Sequence, residues 1–516
     1  GQDWEMLEGG LPNLDVMGRS GVAISKQTPG LVYAMFVAPN QQLYGVFRSE
    51  DGGQNWIEVP TDENQTGLPS GALGGFGWYF GKLRVHPEID DMLFLLGVNV
   101  WRGQNENWNR WTPFQQQFPV HVDNHDLIFT NSGAALLATD GGLYRTPDLG
   151  DTWEDLENIP ATQFYRIGYN PHDSDNYYGG TQDNGTVTGN NQTINDWDRI
   201  FGGDGFQPVF HPENPDIFYV ETQRGGIWVT TDGGDEFDWA ANGFDGGDAK
   251  NWDLPYMMSH HDFDRIIAGT DKVYLSISGP NTEFFAVSPN LTEFDDTTTN
   301  RNHNIATLFE SPFDENLIYV GTADGRVWRT DAVFDMDWTE ISDGLPDRYV
   351  TDIKASPTYE DWVYVVQSGY KDSDFLPRVH RSMDRGENWE DISGDLPDLA
   401  VNDIYIIPNH EDSVIIIAND GGVYGTINSG QNWYRLGTNM PIIPVYDLEW
   451  NVDKNEIFAG TFARSIMSYP LDSLLFPMLP DDTTMTSLNQ ILDLKSDLKI
   501  LLLCPWLLHN VLSSRR

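Results

Sequence analysis

Short runs of three apolar residues, each preceded by a polar turn, recur ten times along the chain and set its period. They are Leu31-Val32-Tyr33, Leu93-Phe94-Leu95, Ala135-Leu136-Leu137, Asn176-Tyr177-Tyr178, Ile217-Phe218-Tyr219, Ile266-Ile267-Ala268, Leu317-Ile318-Tyr319, Trp362-Val363-Tyr364, Ile415-Ile416-Ile417 and Ile457-Phe458-Ala459. Successive runs lie 41 to 61 residues apart. That is the span of one four-stranded propeller blade, roughly 40–50 residues. Helical 3.6-residue periodicity is nearly absent before about residue 485. The pattern predicts an all-β fold, a β-propeller of about ten four-stranded blades.

A second signal trails five of these runs. Ser49 to Trp56 (SEDGGQNW), Thr146 to Trp153 (TPDLGDTW) and Ser382 to Trp389 (SMDRGENW) share the form Ser/Thr-x-Asp-x-Gly-x-x-Trp. Thr426 to Trp433 has Asn428 in place of Asp, and Thr230 to Phe237 ends in Phe. The expected logic is local. The hydroxyl and carboxylate satisfy backbone N–H groups in a hairpin turn, Gly supplies a positive φ, and the indole packs between sheets. The Asp residues of these turns are therefore expected to be structural.

Residues 445–468 supply three strands of a blade, and Asp3 to Leu7 reads as a missing fourth strand. Joining them closes one large ring of ten blades, which removes exposed sheet edges. The alternative is a part of a two-propeller array. Residues 1–472 are expected to be propeller and residues 473–516 a tail of different character. All 50 Gly lie at or before Gly460, and the stretch from Ser487 is Leu-rich.

Composition narrows the function classes. Asp and Glu number 78 against 30 Lys and Arg, a net charge of −48. Phosphate neutralisation needs clustered Lys and Arg, so nucleic acid is excluded as a partner. With 13% aromatic residues the chain can bury a large core, and its charge keeps it soluble. Cys504 stands alone, which excludes an intramolecular disulfide and a Cys-based zinc site. No apolar run reaches the length of a transmembrane helix, so no membrane insertion is expected. The chain begins at Gly1 without a leader-like segment, as a mature form or a fragment would.

The five turns resemble the Asp-box, or BNR, repeat of β-propellers. Over residues 1–470 the chain is similar to bacterial secreted Vps10/sortilin-like and xyloglucanase-type proteins, through HVDNHD (121–126), ATDGGLYRT (138–146), QFYRIGYNP (163–171), GGTQDNGT (179–186), FGGDGF (201–206) and AGTFARS (459–465). Likeness to the xyloglucanase type implies a glycoside hydrolase with one acid in Thr139 to Arg145 and another in Gly203 to Phe206. That makes Asp140 and Asp204 the catalytic candidates. Likeness to sortilin-type propellers implies a non-catalytic ring that binds peptide or protein. Either group implies a secreted or cell-surface protein, expected to be a monomer. The sialidase branch fits least, because its carboxylate-binding arginine cluster is missing.

Glycoside hydrolysis needs two carboxylates, about 5–5.5 Å apart for retention or 6.5–9.5 Å for inversion. Asp140 follows a repeat strand and is expected in a loop at one mouth of the ring. Asp183, Asp324 and Asp420 hold the equivalent place in other blades, a recurrence that also suits a turn device. The three glycines around Asp204 permit close approach of backbone to ligand. Trp78, Tyr79, Tyr165 and Asp183 are the expected substrate contacts, with Trp101, Trp108 and Trp111 read as packing. His121, Asp123 and His125 alternate, so on a strand they would share a face. They would form either a polar cluster or a transition-metal site. No cofactor is otherwise expected. The many Asp residues could hold Ca²⁺, but without EF-hand spacing.

Overall fold

The computed structural model describes residues 6–7, 9–61, 66–69, 71–105, 107–113, 120–292 and 302–475. They form ten antiparallel sheets over residues 20–59, 82–110, 124–155, 164–201, 209–239, 256–286, 305–340, 349–391, 401–435 and 445–470, numbered here sheets 1 to 10. Nine have four strands and sheet 10 has three; in every sheet the strands pair in chain order. Each of the ten apolar runs seen in the sequence falls at the second strand of its sheet. Those strands are the most deeply buried, as in Leu93–Leu96, Ile318–Thr322 and Ile415–Asn419. A strand covered on both faces reads as a continuous apolar run, which is why it dominates the sequence signal. Fourth strands such as Thr339–Glu340 and Glu390–Asp391 are short and exposed.

The chain divides into two compact units, residues 1–159 with sheets 1 to 3 and residues 160–516 with sheets 4 to 10. In the first unit, one apolar layer built on Tyr33, Met35, Leu83 and Leu95 lies between sheets 1 and 2. A second, built on Phe94, Leu96, Leu127 and Leu137, lies between sheets 2 and 3.

The second unit repeats this layering: separate apolar clusters join sheets 5 to 6, 6 to 7, 7 to 8, 8 to 9 and 9 to 10. Tyr178 on Phe210 joins sheets 4 and 5. The last layer brings Phe458 of sheet 10 against Phe164, Ile167 and Tyr177 of sheet 4, and the inner strand Phe164–Gly168 packs on Val445–Asn451. Seven sheets thus make a cycle of contacts within residues 160–516. A single ring of all ten blades is not what forms. The reason is the inner-strand chemistry of sheet 4, whose Arg166 and Ile167 meet the carboxylate of Asp447. Sheet 1 has four strands of its own, and sheet 10 keeps three among the described residues. Asp3, Trp4 and Glu5, expected to complete sheet 10, lie outside the described residues, as does everything after Leu475.

The five Ser/Thr-x-Asp turns share one geometry. In the first, Ser49 Oγ receives Gly53 N–H at 2.8 Å, and Asp51 Oδ1 receives the amides of Gln54 and Asn55, each at 2.9 Å. Thr146, Thr230, Ser382 and Thr426 accept the matching glycine N–H in the others. Gly53, Gly150, Gly234, Gly386 and Gly430 all have positive φ. Hydrogen bonds from Asn55 and Ser49 hold the Asp51 carboxyl down at about 2. Trp153, Trp389 and Trp433 sit in the layers between neighbouring sheets, as the sequence pattern implied.

Candidate functional site

The candidate residues fall into two groups, one in each unit. In the first unit, Asp140 occupies the turn after the strand Ala135–Thr139, and its backbone N–H donates to Asp123 O at 3.2 Å. Its Oδ1 lies 2.5 Å from His125 Nε2, and both side chains are largely buried. Tyr79 stands edge-on to the His125 ring at 5.4 Å, and Phe80 packs beside it at 5.6 Å. Trp78, 44% exposed, leans on Tyr79 at 5.4 Å. Trp108 and Trp111 are buried in the layers between sheets. Two separate sequence motifs, Trp78-Tyr79-Phe80 and HVDNHD, therefore converge on Asp140.

His121, Asp123 and His125 do not line one strand face. The strand begins only at Asn124, and Asp123 has a φ of 64°, which breaks the alternation just before it. His121 lies over the following turn, where a Cβ on Gly141 would meet its side-chain atoms at 2.4 to 2.8 Å. Among the described residues no group of three or more His, Cys, Asp and Glu is placed to hold a metal. Asp140 also has counterparts. Asp420 Oδ1 accepts from Asn402 Nδ2 at 2.9 Å, and Asp324 lies 3.6 Å from His303. The turn acid taking a polar partner from the start of its own blade is thus a repeated device.

In the second unit the sequence candidates gather closely. FGGDGF is bound between sheets 4 and 5: Gly205 N–H donates to Thr181 O at 3.0 Å and Phe206 N–H to Glu221 O at 3.1 Å. Only glycine fits opposite it, since a Cβ on Gly180 would lie 2.1 Å from Gly205 and Phe206 backbone atoms. This fixes Asp204, 6% exposed, so that its Oδ1 accepts the N–H of Asp183 at 3.0 Å. Asp183 holds a left-handed φ of 62°, a conformation Asp tolerates. Tyr165 stacks on Phe206 at 4.9 Å and its hydroxyl donates to Gln182 at 3.1 Å. Burial, with Asp204 and Asp183 nearby, pushes that hydroxyl well above its usual range. Trp252 stands edge-on to Phe206 at 6.3 Å. The buried Asp204 and the part-buried Asp183 and Tyr165 thus form one cluster. Asp140 belongs to the other compact unit.

Sequence reasoning missed the centre of the seven-sheet cycle. A cavity of about 680 Å³ is lined from every one of the seven inner strands, including Arg166, Phe210, Met257, Phe309, Lys354, Tyr405 and Glu449. Charged residues ring it. Arg166 bonds Asp253 at 2.7 Å and Asp447 at 3.2 Å, and Lys354 bonds Asp352 at 3.1 Å. Asp403 Oδ2 accepts Leu448 N–H at 2.7 Å and Thr307 donates to Asp352 at 2.9 Å. Burial alone would lower Arg166 and Lys354, but these aspartates hold both above their usual values. Asp403, buried and beside Asp352, is pushed well up. Burial, then Asp447, raises Glu449 to about 8. The signal was present as Asp352-Ile353-Lys354, Asp403-Ile404-Tyr405 and Asp447-Leu448-Glu449, polar residues two apart at equal register in inner strands. Each follows a β-bulge, as does Arg166.

No protein family and no curated protein sequence matches the chain. Among solved structures it is similar to a GH74 enzyme of Niastella koreensis, at 12% identity over 88% of this chain and 90% of that one, TM-score 0.33. The extracellular domain of the one component system BT4673 from B. thetaiotaomicron matches at 11% identity over 88% of this chain and 70% of that chain, TM-score 0.44. YCF48 from Cyanidioschyzon merolae matches at 12% identity over 60% of this chain and 96% of that chain, TM-score 0.44. Among the described residues no helix is long and apolar enough to cross a membrane.

Proposed function

We propose that this chain is an Asp-box β-propeller that binds a polysaccharide at the cluster of Tyr165, Gln182, Asp183, Asp204 and Trp252. The observation that carries the reading is the 3.0 Å bond from Asp183 N–H to the Asp204 carboxylate beside Tyr165, which sets acids and aromatic rings side by side. Sugars use both surfaces: their hydroxyls donate to carboxylates and amides, and their C–H faces stack on rings. A polysaccharide ligand implies a secreted or cell-surface location. No nucleic acid enters the reading, given the charge of −48.

Hydrolysis is the further step this reading allows, with Asp204 the acid of this cluster among the two carried over from the xyloglucanase-type resemblance; Asp140, the other, lies in the first unit. Asp183 is a third carboxylate, adjacent to Asp204. Incubating the whole chain with soluble β-glucans, and following both retention on a glycan gel and new reducing ends, tests the two steps separately. A second reading, a sortilin-type peptide-binding propeller, draws support from the 680 Å³ cavity.

A further inference from the structure

Sheet 3 ends the first unit with a face that other sheets bury. In sheets 1, 2, 7 and 8 the second strand sets Tyr33, Phe94, Tyr319 and Tyr364 into the layer with the next sheet, each at most 2% exposed. Each pairs across with an arginine of the third strand, respectively Arg48, Arg102, Arg329 and Arg381. Two of these arginines reach on into the next sheet. There they donate to the carbonyl that follows the turn aspartate, Arg102 to Leu149 O at 3.5 Å and Arg329 to Arg385 O at 2.7 Å. Sheet 3 carries the same cross-strand pair, Leu136 with Arg145. Ile128 stands opposite Leu136 on that face, and Ala138 stands opposite Leu143. Yet Ile128 is 55% exposed and the other three are half-buried. None of the four enters the apolar layers of this unit among the described residues.

Sheet 1 presents the converse. Its face away from sheet 2 carries Val22 opposite Ala34 and Ile24 opposite Val32. Leu11 and Met17 cover Phe36 and Phe47 on that face, whereas Val22 and Ile24 are 58% and 66% exposed. Sheet 1 also bears a Ser/Thr-x-Asp turn, with Gly52 at the place that Leu149 and Arg385 hold in theirs. One end of the unit therefore offers the side chains that elsewhere receive a following sheet. The other end is a sheet of the kind they receive. Three sheets are too few to close on themselves, because propeller rings hold about 4–8 blades. Two copies supply six.

We propose that the first unit is an interface for a second copy of this chain, with sheet 3 of each copy packed on sheet 1 of the other in a six-sheet ring of twofold symmetry. Ile128 and Leu136 of one copy bury against Val22 and Ile24 of the other, and Arg145, which bonds Glu154 at 3.0 Å in the single chain, keeps donors to spare for the Gly52 carbonyl. The charge of −48 on each chain opposes the pairing, but salt screens charges farther apart than about 8 Å at physiological strength. The dimer replaces the monomer expected from the sequence and does not depend on glycan binding.

Sedimentation velocity of the whole chain over a concentration series, in about 0.3 M salt, tests this. The expected species has twice the 58.3 kDa of one chain. Ile128→Glu and Ile24→Lys change side chains that are exposed in the single chain, so each variant is expected to melt as the parent does while dimerising at least tenfold more weakly. Val22→Lys serves as a second sheet 1 variant. Mixing equal amounts of Ile128→Glu and Ile24→Lys is expected to restore the dimer: one of its two contacts is then native, and the other sets Glu against Lys. A contact of sheet 3 with sheet 3 would instead be untouched by Ile24→Lys. A parent that stays monomeric throughout, folded variants that dimerise as the parent does, or a mixture that remains monomeric overturns the proposal.

Discussion

The carboxylate of Asp447 accepts the backbone N–H of Ile167 at 2.7 Å across 280 residues of chain. The same side chain pairs with Arg166 at 3.2 Å, with Asp447 buried and Arg166 partly so. This contact turns seven sheets into a cycle, because it ties the inner strand of sheet 10 to that of sheet 4. Removing the Asp447 carboxylate leaves the Ile167 N–H without its acceptor and Arg166 with Asp253 as its remaining carboxylate, at a cost of about 1–3 kcal/mol. Asp447→Ala is expected to lose that much in urea unfolding followed by tryptophan fluorescence, and Asp447→Asn less, since the amide still accepts from Ile167.

The Ser/Thr-x-Asp turns make a graded prediction. Asp384 accepts the Asn388 N–H at 2.9 Å, and Asn428 accepts the matching Asn432 N–H at 3.0 Å in its own turn. Asp384→Asn is therefore expected to be nearly neutral. Asp384→Ala is expected to cost about 1 kcal/mol, the net worth of a typical hydrogen bond. Thermal melting of the two variants side by side checks the order.

Gly180→Ala tests the fit of the Asp204 loop. The new Cβ would sit 2.1 Å from the backbone of Gly205 and Phe206, so the loop must shift. Overpacking of this kind costs about 1–3 kcal/mol, and the shift would pull Asp204 from Asp183. A lower melting temperature together with weaker glycan retention is expected.

How far the sequence reached is explained by what each residue pattern encodes. Second strands such as Ile415–Asn419 are buried on both faces, so they stand out as apolar runs and count the blades. The turn chemistry of Asp51 and Asp384 is local, within eight residues, and was equally legible. Which blade closes on which is not local: it depends on Arg166 and Asp447, a pair that no spacing announces. For the same reason ten repeats suggested one ring, while the structure closes seven. Asp183 stood out because it follows the repeat strand as Asp140, Asp324 and Asp420 do, and Asp204 through its glycine-rich motif, whereas Glu449 lay in a strand whose polar positions resemble ordinary alternation. The strand alternation expected of His121, Asp123 and His125 is interrupted by one backbone angle, the positive φ of Asp123.

Glu449 gives a pH prediction. Its carboxyl titrates near 8 in the folded protein, against about 4.3 unfolded. The folded state therefore binds the extra proton between those values. Stability from this group is fully present below about 4.3 and falls as pH rises toward 8, by up to about 1.4 kcal/mol per unit. Comparing urea midpoints of the parent and Glu449→Gln from pH 5 to 8 checks the sign: the parent is expected to lose more stability over that range than the variant.

The most direct test of the account is glycan retention by the whole chain and by Tyr165→Ala, Asp183→Asn and Asp204→Asn, measured by affinity electrophoresis on a panel of β-glucans and scored with new reducing ends. The account predicts retention of the parent on at least one glucan and a loss of at least tenfold in each folded variant. Any hydrolysis should vanish in Asp204→Asn. Parent and variants that migrate alike on every glucan would contradict it.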